Sequence, residues 1–376
     1  MTRHILERPP KIVILGEAAA VHTRRWVEHF RGMGWTVRWM SFAPTEDVAG
    51  VEEIPQLADR KALAIWKART HVRDEIDRFD PDIINALFLP DYGWLACLTK
   101  RHPLAVSAWG SDVLLAPRKS ILHRWRIQYV LRRSDWLFCD ANVLRDRMAE
   151  LGGRRENIRV VPLGVTDDWL EIGTTRPQIS DRLIHVVTNR RLEPLYRVDT
   201  FIRAVRTIES DRPGEFRFTV VGDGSQRAQL DSLARELGVH DRIDFTGVLS
   251  GDTLRSVMTD ADIFVSCSSS DGTSVSLLEA MAAGVFPIVT DLPANREWLT
   301  PDDTGVLFPV GDHERLARAI IDCAHDSEKR TQATQRNHEL VSQRARWVNN
   351  MAQVEDDLLG LIADHRQSQT ARPARS

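Results

Sequence analysis

Cysteine is scarce and scattered: Cys97, Cys139, Cys267 and Cys323 are the only four in 376 residues, and none forms a C-x-x-C pair. That spacing excludes a zinc ribbon or a disulfide framework and fits free thiols in a reducing compartment. No apolar run approaches the length of about 18 residues that a membrane-spanning helix needs. The opening Met-Thr-Arg-His-Ile-Leu-Glu-Arg-Pro-Pro places charge and proline where a secretory signal needs an apolar core. The expected location is therefore the cytoplasm. Positive charge is not in excess either, with 50 Lys and Arg against 53 Asp and Glu and a net charge of -3, so nucleic acid is not an expected partner.

What remains is ordinary globular material, 43% hydrophobic and 27% charged, in a length that suits two domains. From Lys11 onward, short β-branched runs alternate with amphipathic stretches, the pattern of parallel strands joined by crossover helices. Strands are expected at 11–15, 35–42, 81–87, 104–107, 135–139 and 158–161, with helices at 23–32, 59–79, 120–133 and 142–151. A turn-rich stretch at 164–181, with Gly173, Thr174, Thr175, Pro177 and Ser180, reads as a linker. The alternation then restarts, with strands at 183–188, 216–221, 242–246, 261–266, 286–290 and 306–308. The fold class is thus α/β, two doubly wound Rossmann-like domains at 1–170 and 171–345. A closing helical stretch, about 332–363, either caps the second domain or returns to the first, and the tail from Gln367 should fray. Such sheets bind ligands at the carboxyl ends of their strands, so a cleft where two of them face each other is the expected active site.

The chemistry concentrates between Asp260 and Glu297, which reads as strand, polar loop, helix and strand. The loop Ser268-Ser-Ser-Asp-Gly-Thr-Ser274 feeds a helix starting near Ser274 or Val275. A helix tip offers free N–H donors and partial positive charge, a seat for phosphate or sugar hydroxyls, and Gly272 permits close approach of the backbone. Asp271 lies in the loop and Glu279 more than a turn inside the helix, so that one carboxylate could meet a sugar and the other a ribose. The plainer alternative makes Asp271 a helix cap and Glu279 a solvated side chain.

Asp271-x7-Glu279, continued as Glu-Ala-Met-Ala-Ala-Gly-Val-Phe-Pro-Ile-Val-Thr-Asp, resembles the E-x7-E signature of the family 4 retaining glycosyltransferases, which have the GT-B fold. Val161-Pro-Leu-Gly-Val165, Val220-Val-Gly-Asp-Gly224 and Phe245-Thr-Gly-Val248 agree with that family in order and spacing. The resemblance implies a metal-independent hexosyltransferase that uses a UDP- or GDP-sugar as donor. In it Glu279 would hold the donor ribose, Asp271 and the amides of Gly272, Thr273, Ser274 and Val275 the transferred sugar, and Val248 would lie near the base. It also implies an Arg and a Lys after the first strand of the second domain, compensating the charge that grows on the diphosphate leaving group. Here that stretch reads Asn189-Arg-Arg-Leu-Glu-Pro-Leu-Tyr-Arg-Val-Asp199. Arg191 fits the Arg position, Tyr196 stands at the Lys position and Arg197 at the following Gly. Either Arg190 or Arg197 then replaces the missing cation, guanidinium being a good bidentate phosphate ligand, unless all three arginines sit on a solvated loop.

In the first half, Gly16 opens a strand-to-helix turn in the position of a substrate loop. His22 reads as an acceptor contact or proton shuttle, against a plainer role as a cap or packed residue. Many members of the resembled family carry histidine where Trp109 stands, so Asp112 becomes the candidate acceptor-facing carboxylate, with a turn cap as its competing role. Between Arg118 and Arg133, Arg118, Lys119, Arg124, Arg126, Arg132 and Arg133 occur with no acidic residue, among Ile121, Leu122, Trp125 and Tyr129. Such a helix suits peripheral contact with the inner face of a membrane and a glycan or lipid-linked acceptor, or else packs on its own sheet with a solvated basic side. The leading expectation is transfer of a sugar in cell-envelope or polysaccharide biosynthesis. A nucleotide-sugar epimerase and a non-catalytic nucleotide-sugar binding protein compete with it.

Overall fold

Apolar runs such as Lys11-Ile-Val-Ile-Leu15 become parallel strands because crossover helices cover both of their faces; Ile12, Val13, Ile14 and Leu15 are all fully buried. The computed structural model describes residues 8–45, 48–175 and 182–370. Two units emerge, one comprising the described residues up to Pro162 together with those from Met351 on, the other Leu163–Asn350.

The first unit is a seven-stranded parallel sheet in the order β3-β2-β1-β4-β5-β6-β7. Its strands are β1 (Lys11–Leu15), β2 (Thr36–Ser41), β3 (Val51–Glu53), β4 (Ile83–Leu87), β5 (Leu104–Ala108), β6 (Trp136–Cys139) and β7 (Ile158–Val160). The edge strand β3 is not among the expected strands. It is three residues long and twice charged, too little for a period to register, and it is held by pairing with β2 and by the Arg38–Glu52 ion pair at 2.8 Å. Helices α1 (Val21–Gly32), α2 (Lys61–Phe79), α3 (Trp94–Thr99), α4 (Ser111–Leu114), α5 (Ala116–Lys119), α6 (Ile121–Arg133) and α7 (Asn142–Glu150) fill the crossovers. In α2 the buried residues Ala64, Ile65, Ala68, Val72 and Ile76 recur every three to four positions, which is the stripe a surface helix needs.

The second unit begins where the linker was expected, and there the structure corrects the sequence reading. Asp167–Thr175 is a helix, α8, with Trp169 buried beneath it. Gly173 is there for space, since a Cβ would stand 2.2 Å from the carbonyl oxygen of Ala282. The turn-forming Pro177 and Ser180 lie outside the described residues. A six-stranded parallel sheet follows in the order β10-β9-β8-β11-β12-β13, made of β8 (Ile184–Asn189), β9 (Phe216–Val221), β10 (Ile243–Gly247), β11 (Ile263–Ser266), β12 (Phe286–Thr290) and β13 (Val306–Phe308). Two apolar layers sandwich it. One is built on α9 (Val198–Asp211), α10 (Arg227–Glu236) and α13 (His313–His325), the other on α8, α11 (Gly251–Asp260), α12 (Val275–Ala282) and α14 (Ser327–Arg344). In α9, Val198, Phe201, Ile202, Val205 and Ile208 are buried, at about 1.5–3 kcal/mol for each large apolar side chain.

The closing stretch is two helices rather than one: α14 stops at Arg344 and α15 runs over Trp347–Thr370. The break has a partner. Val165 donates to the Ala345 carbonyl at 2.8 Å and Trp347 donates back to the Val165 carbonyl at 2.7 Å. Gly164 sits at φ 74°, with the Ala345 oxygen only 2.4 Å from where a Cβ would be. From Met351 on, α15 belongs to the first unit, where Trp35 Nε1 donates to Glu355 at 2.8 Å and Arg159 pairs with Asp357 at 2.8 Å. The expected fraying from Gln367 is not seen as far as Thr370, where the helix ends; the residues beyond lie outside the described part.

Candidate active site

The strand order of the second unit reverses between β8 and β11, and the loops leaving the carboxyl ends of those two strands diverge around a crevice, the position where open α/β sheets take their ligands. The first loop carries the arginines and the second carries 267–274. They are tied to each other: Ser269 donates through both its backbone N–H and its hydroxyl to the Leu195 carbonyl, at 2.9 and 3.1 Å. A third loop, after β9, locks onto the first. Leu192 donates to the Asp223 carbonyl at 3.0 Å, and Glu193 accepts from the Ser225 amide at 3.1 Å and hydroxyl at 2.5 Å. Gly222 is required here, because a Cβ would lie 2.2 Å from the Arg190 carbonyl oxygen and its φ is 130°.

Within this frame the arginines separate. Arg190 turns into the crevice, its side chain nearly buried, and its guanidinium bonds Asp271 through Nη2 and the Ser274 hydroxyl through Nη1. The ring of Tyr196 lies beneath it, 4.3 Å from guanidinium carbon to centroid. Burial pushes the Asp271 carboxyl above its usual range even though the Arg190 charge pulls the other way, so removing the cation would leave an acid badly solvated. Arg191, at the Arg position of the resembled family, stands apart: its side chain is 76% exposed, pairs with Glu193 at 3.8 Å, and does not join the cluster. Arg197 occupies a left-handed position at φ 48° with its guanidinium on Asp199 at 3.3 Å, beside Gly311. The cation brought against Asp271 is thus Arg190.

Ser274 caps α12, its hydroxyl accepting from the Leu277 amide at 3.3 Å. The helix therefore starts at Val275, directly after the buried Gly272, Thr273 and Ser274, and Thr273 is fixed by the indole N–H of Trp298 at 3.3 Å. Glu279 lies one turn further along the same helix and is half-buried. After β10, a bulge at Gly247 lets its carbonyl accept from Gly222 at 2.8 Å and leaves Val248 75% exposed. Asp271, Ser274 and Arg190 are in direct contact. Tyr196 is the member that sequence reasoning missed as a participant; a single aromatic two residues before the start of α9 carries no periodic signal, and only its place under Arg190 reveals it.

In the first unit, His22 is the second residue of α1, its ring centroid 6.2 Å from that of Trp109, which in turn meets Trp26 edge-on at 5.5 Å. Asp112 is a correction. It is fully buried and its carboxylate accepts from the amides of Gly110 at 3.0 Å, Trp109 at 3.1 Å and Leu89 at 3.3 Å. It is the turn cap that shapes the Trp109 loop, not a carboxylate facing an acceptor, and burial raises its pKa to about 6. Gly16 is likewise a packing glycine. Its N–H and C=O are taken by Met40 at 3.1 Å and Trp39 Nε1 at 3.1 Å, and a Cβ would come within 2.9 Å of Thr23. The basic stretch becomes α5 and α6 with Ser120 as cap, and Arg126 is not on its solvated side: it is buried over the Trp94 ring at 5.0 Å.

Two family models match the chain, Glycosyl transferase 4-like over residues 11–141 and Glycosyl transferases group 1 over residues 176–340. A lipopolysaccharide core biosynthesis glycosyltransferase, LpsE of Rhizobium meliloti, is 31% identical over 63% of this chain and 66% of its own length. A GDP-mannose-dependent alpha-(1-6)-phosphatidylinositol monomannoside mannosyltransferase of Mycobacterium tuberculosis is 27% identical over 61% of this chain and 64% of its own. The match thus spans less than two thirds of either relative. Among solved structures, Anabaena HepE in complex with UDP-glucose superposes with a TM-score of 0.78 at 19% identity, covering 93% of this chain and all of that one. With the crevice between β8 and β11, the Asp271-to-Glu279 segment and these matches in agreement, the chain belongs to the group 1, or family 4, glycosyltransferases and has their GT-B fold.

Proposed function

We propose that the protein transfers a sugar from a UDP- or GDP-sugar to a glycan or lipid-linked acceptor in cell-envelope or polysaccharide biosynthesis, with retention at the anomeric carbon and without a metal. The observation that carries this reading is the contact of Arg190 with both Asp271 and Ser274 at the tip of α12. As the bond from the anomeric carbon to the diphosphate oxygen breaks and the acceptor hydroxyl takes its place, negative charge grows on the departing diphosphate. Arg190 and the uncapped N–H groups of α12 answer that charge, with Arg197 as a second cation within the same loop. Asp271 and the backbone of Gly272 to Val275 hold the transferred sugar, Glu279 the ribose, and the exposed Val248 lies toward the base. His22 and Trp109 contact the acceptor. The work is done in the cytoplasm, with peripheral contact at the membrane through the basic helix α6; among the described residues no helix is long and apolar enough to cross a membrane.

Incubating the protein with labelled UDP- and GDP-sugars and membrane extract tests this. Labelled product with the donor's anomeric configuration, formed equally with a chelator present, is expected. Donor converted to an isomer in the absence of acceptor would instead make the protein an epimerase, and donor binding with no turnover on any extract would make it a binding protein.

A further inference from the structure

Outside the donor site, the first unit carries an exposed surface that neither the strand ends nor the core accounts for. Crossovers that run from β3 to β4, β4 to β5 and β5 to β6 are right-handed and place α2, α3 and α6 on one face of the sheet, and α3 packs against both of the others. The amino-terminal ends of α2 and α6 meet at Asp91: Lys61 pairs with it at 2.6 Å, and its charge reaches His123.

Around that meeting point large apolar side chains stand in solvent. Trp66 on α2 is 47% exposed, with Leu63 one turn before it, while on α6 Ile121 is 89% and Trp125 52% exposed. Isolated apolar side chains need no explanation, but these two helices, which flank α3 and are linked through Asp91, each put a tryptophan and an aliphatic neighbour into solvent. Apart from Asp91, which Lys61 pairs, the charge along these two helical stretches has one sign. Residues 60–73 and 113–134 contain no Asp or Glu, yet between them they hold Arg60, Lys61, Lys67, Arg69, Arg118, Lys119 and Arg124 beside the apolar side chains, in a chain of net charge -3. The Arg69 guanidinium lies over Trp66, 3.7 Å from its ring centroid, so cation and indole are presented together, and Trp125 stacks on Tyr129 at 5.6 Å.

We propose that the N-terminal halves of α2 and α6 together form a docking face for an anionic phospholipid surface, with Trp66, Leu63, Ile121 and Trp125 entering the interface and the surrounding Arg and Lys meeting the phosphates. Tryptophan side chains favour the headgroup level and basic side chains favour anionic lipid. A single basic helix offers one stripe; two helices joined at Asp91 offer a plane. Both helices begin at the carboxyl edge of their sheet, the edge that also carries His22 and the Trp109 loop, so a lipid-linked acceptor held by its tail in the bilayer presents its head to that edge. The inference deepens the lipid-linked acceptor reading and rests on it for its purpose alone.

Flotation of the full chain with vesicles tests the proposal directly. Binding to equimolar phosphatidylcholine and phosphatidylglycerol, little binding to phosphatidylcholine alone, and release by salt are expected. The variant Arg118→Gln/Lys119→Gln/Arg124→Gln should bind roughly a hundredfold more weakly, and Trp66→Ala/Trp125→Ala should lose most of the remaining adsorption. Thermal stabilisation by UDP and GDP, measured on every variant, reports an intact fold, and it fails independently if the donor reading is the one at fault. Equal flotation with neutral and anionic vesicles, wild-type binding by both variants, or sedimentation as a dimer that these substitutions dissociate would overturn the proposal, the last by making the occupant a second copy of the chain.

Discussion

The Arg190 guanidinium rests on the face of Tyr196, 4.3 Å from its ring centroid, at a position where the family resemblance leads one to expect a lysine. The aromatic ring does not supply charge. It supplies a flat support that orients the cation standing one residue beyond the end of β8, with its fork toward Asp271 and Ser274, and cation–ring stacking adds to the pairing.

Arg190→Ala should lower kcat by about 10²- to 10³-fold, the range found when one preorganised donor to a developing anion is lost. Arg191→Ala, on a side chain that points to solvent, should stay within roughly threefold of wild type on the same scale. Steady-state kinetics on the two variants decides it, and the reverse ranking would move the cation back to Arg191.

Tyr196→Phe keeps the ring and should leave kcat near wild type, whereas Tyr196→Leu should cost about 0.5–2 kcal/mol of transition-state stabilisation. If Phe and Leu behave alike, the ring face is not what holds Arg190.

Glu279→Ala should reduce the thermal shift produced by UDP or GDP without lowering the Tm of the ligand-free protein. Saturation at a hundred times Kd is worth about 2.7 kcal/mol, so a tenfold weaker Kd at fixed ligand removes about half of that effect. An unchanged shift would take Glu279 out of the donor site.

Gly164→Ala meets two obstacles, a positive φ and the Ala345 carbonyl at 2.4 Å from the new Cβ. Gly214→Ala meets only the first, since nothing lies within 4 Å there. Denaturant titration should show roughly 1 kcal/mol lost for Gly214→Ala and several times that for Gly164→Ala, the excess measuring the clamp between 164–165 and 345–347.

Asp112 makes stability depend on pH. Its folded pKa of about 6 lies above the ordinary 3.8 because burial penalises the charged form, so the native state holds more protons than the unfolded state between those values. Its contribution is greatest below about pH 4 and declines as pH rises through 6, by roughly 3 kcal/mol at most. Comparing denaturant midpoints of wild type and Asp112→Asn from pH 4.5 to 7 should show the wild type losing ground relative to the variant as pH rises. Parallel curves would mean that the three amide donors hold the carboxylate ionised throughout.

Both sheets were legible in the chain because burial on two faces demands continuous β-branched runs, and those runs are visible without any contact being known. The short edge strand β3 and helix α8 were not. Val51-Glu-Glu53 has no period of its own and becomes a strand only because β2 offers it a partner, while Asp167–Thr175 contains glycine and threonines that read as a linker until the Ala282 carbonyl is seen against Gly173.

The donor site divides in the same way. Sequence alone determined the loop and helix from Asp271 to Glu279, since a run of small polar residues before an apolar helix is a local property of neighbours along the chain. Which of three arginines faces Asp271, why tyrosine stands where lysine was expected, and whether Asp112 looks outward or caps a turn were decided by the tertiary structure. Those questions concern directions of side chains from separate strands, and a strand's alternation says which residues are covered but not what covers them.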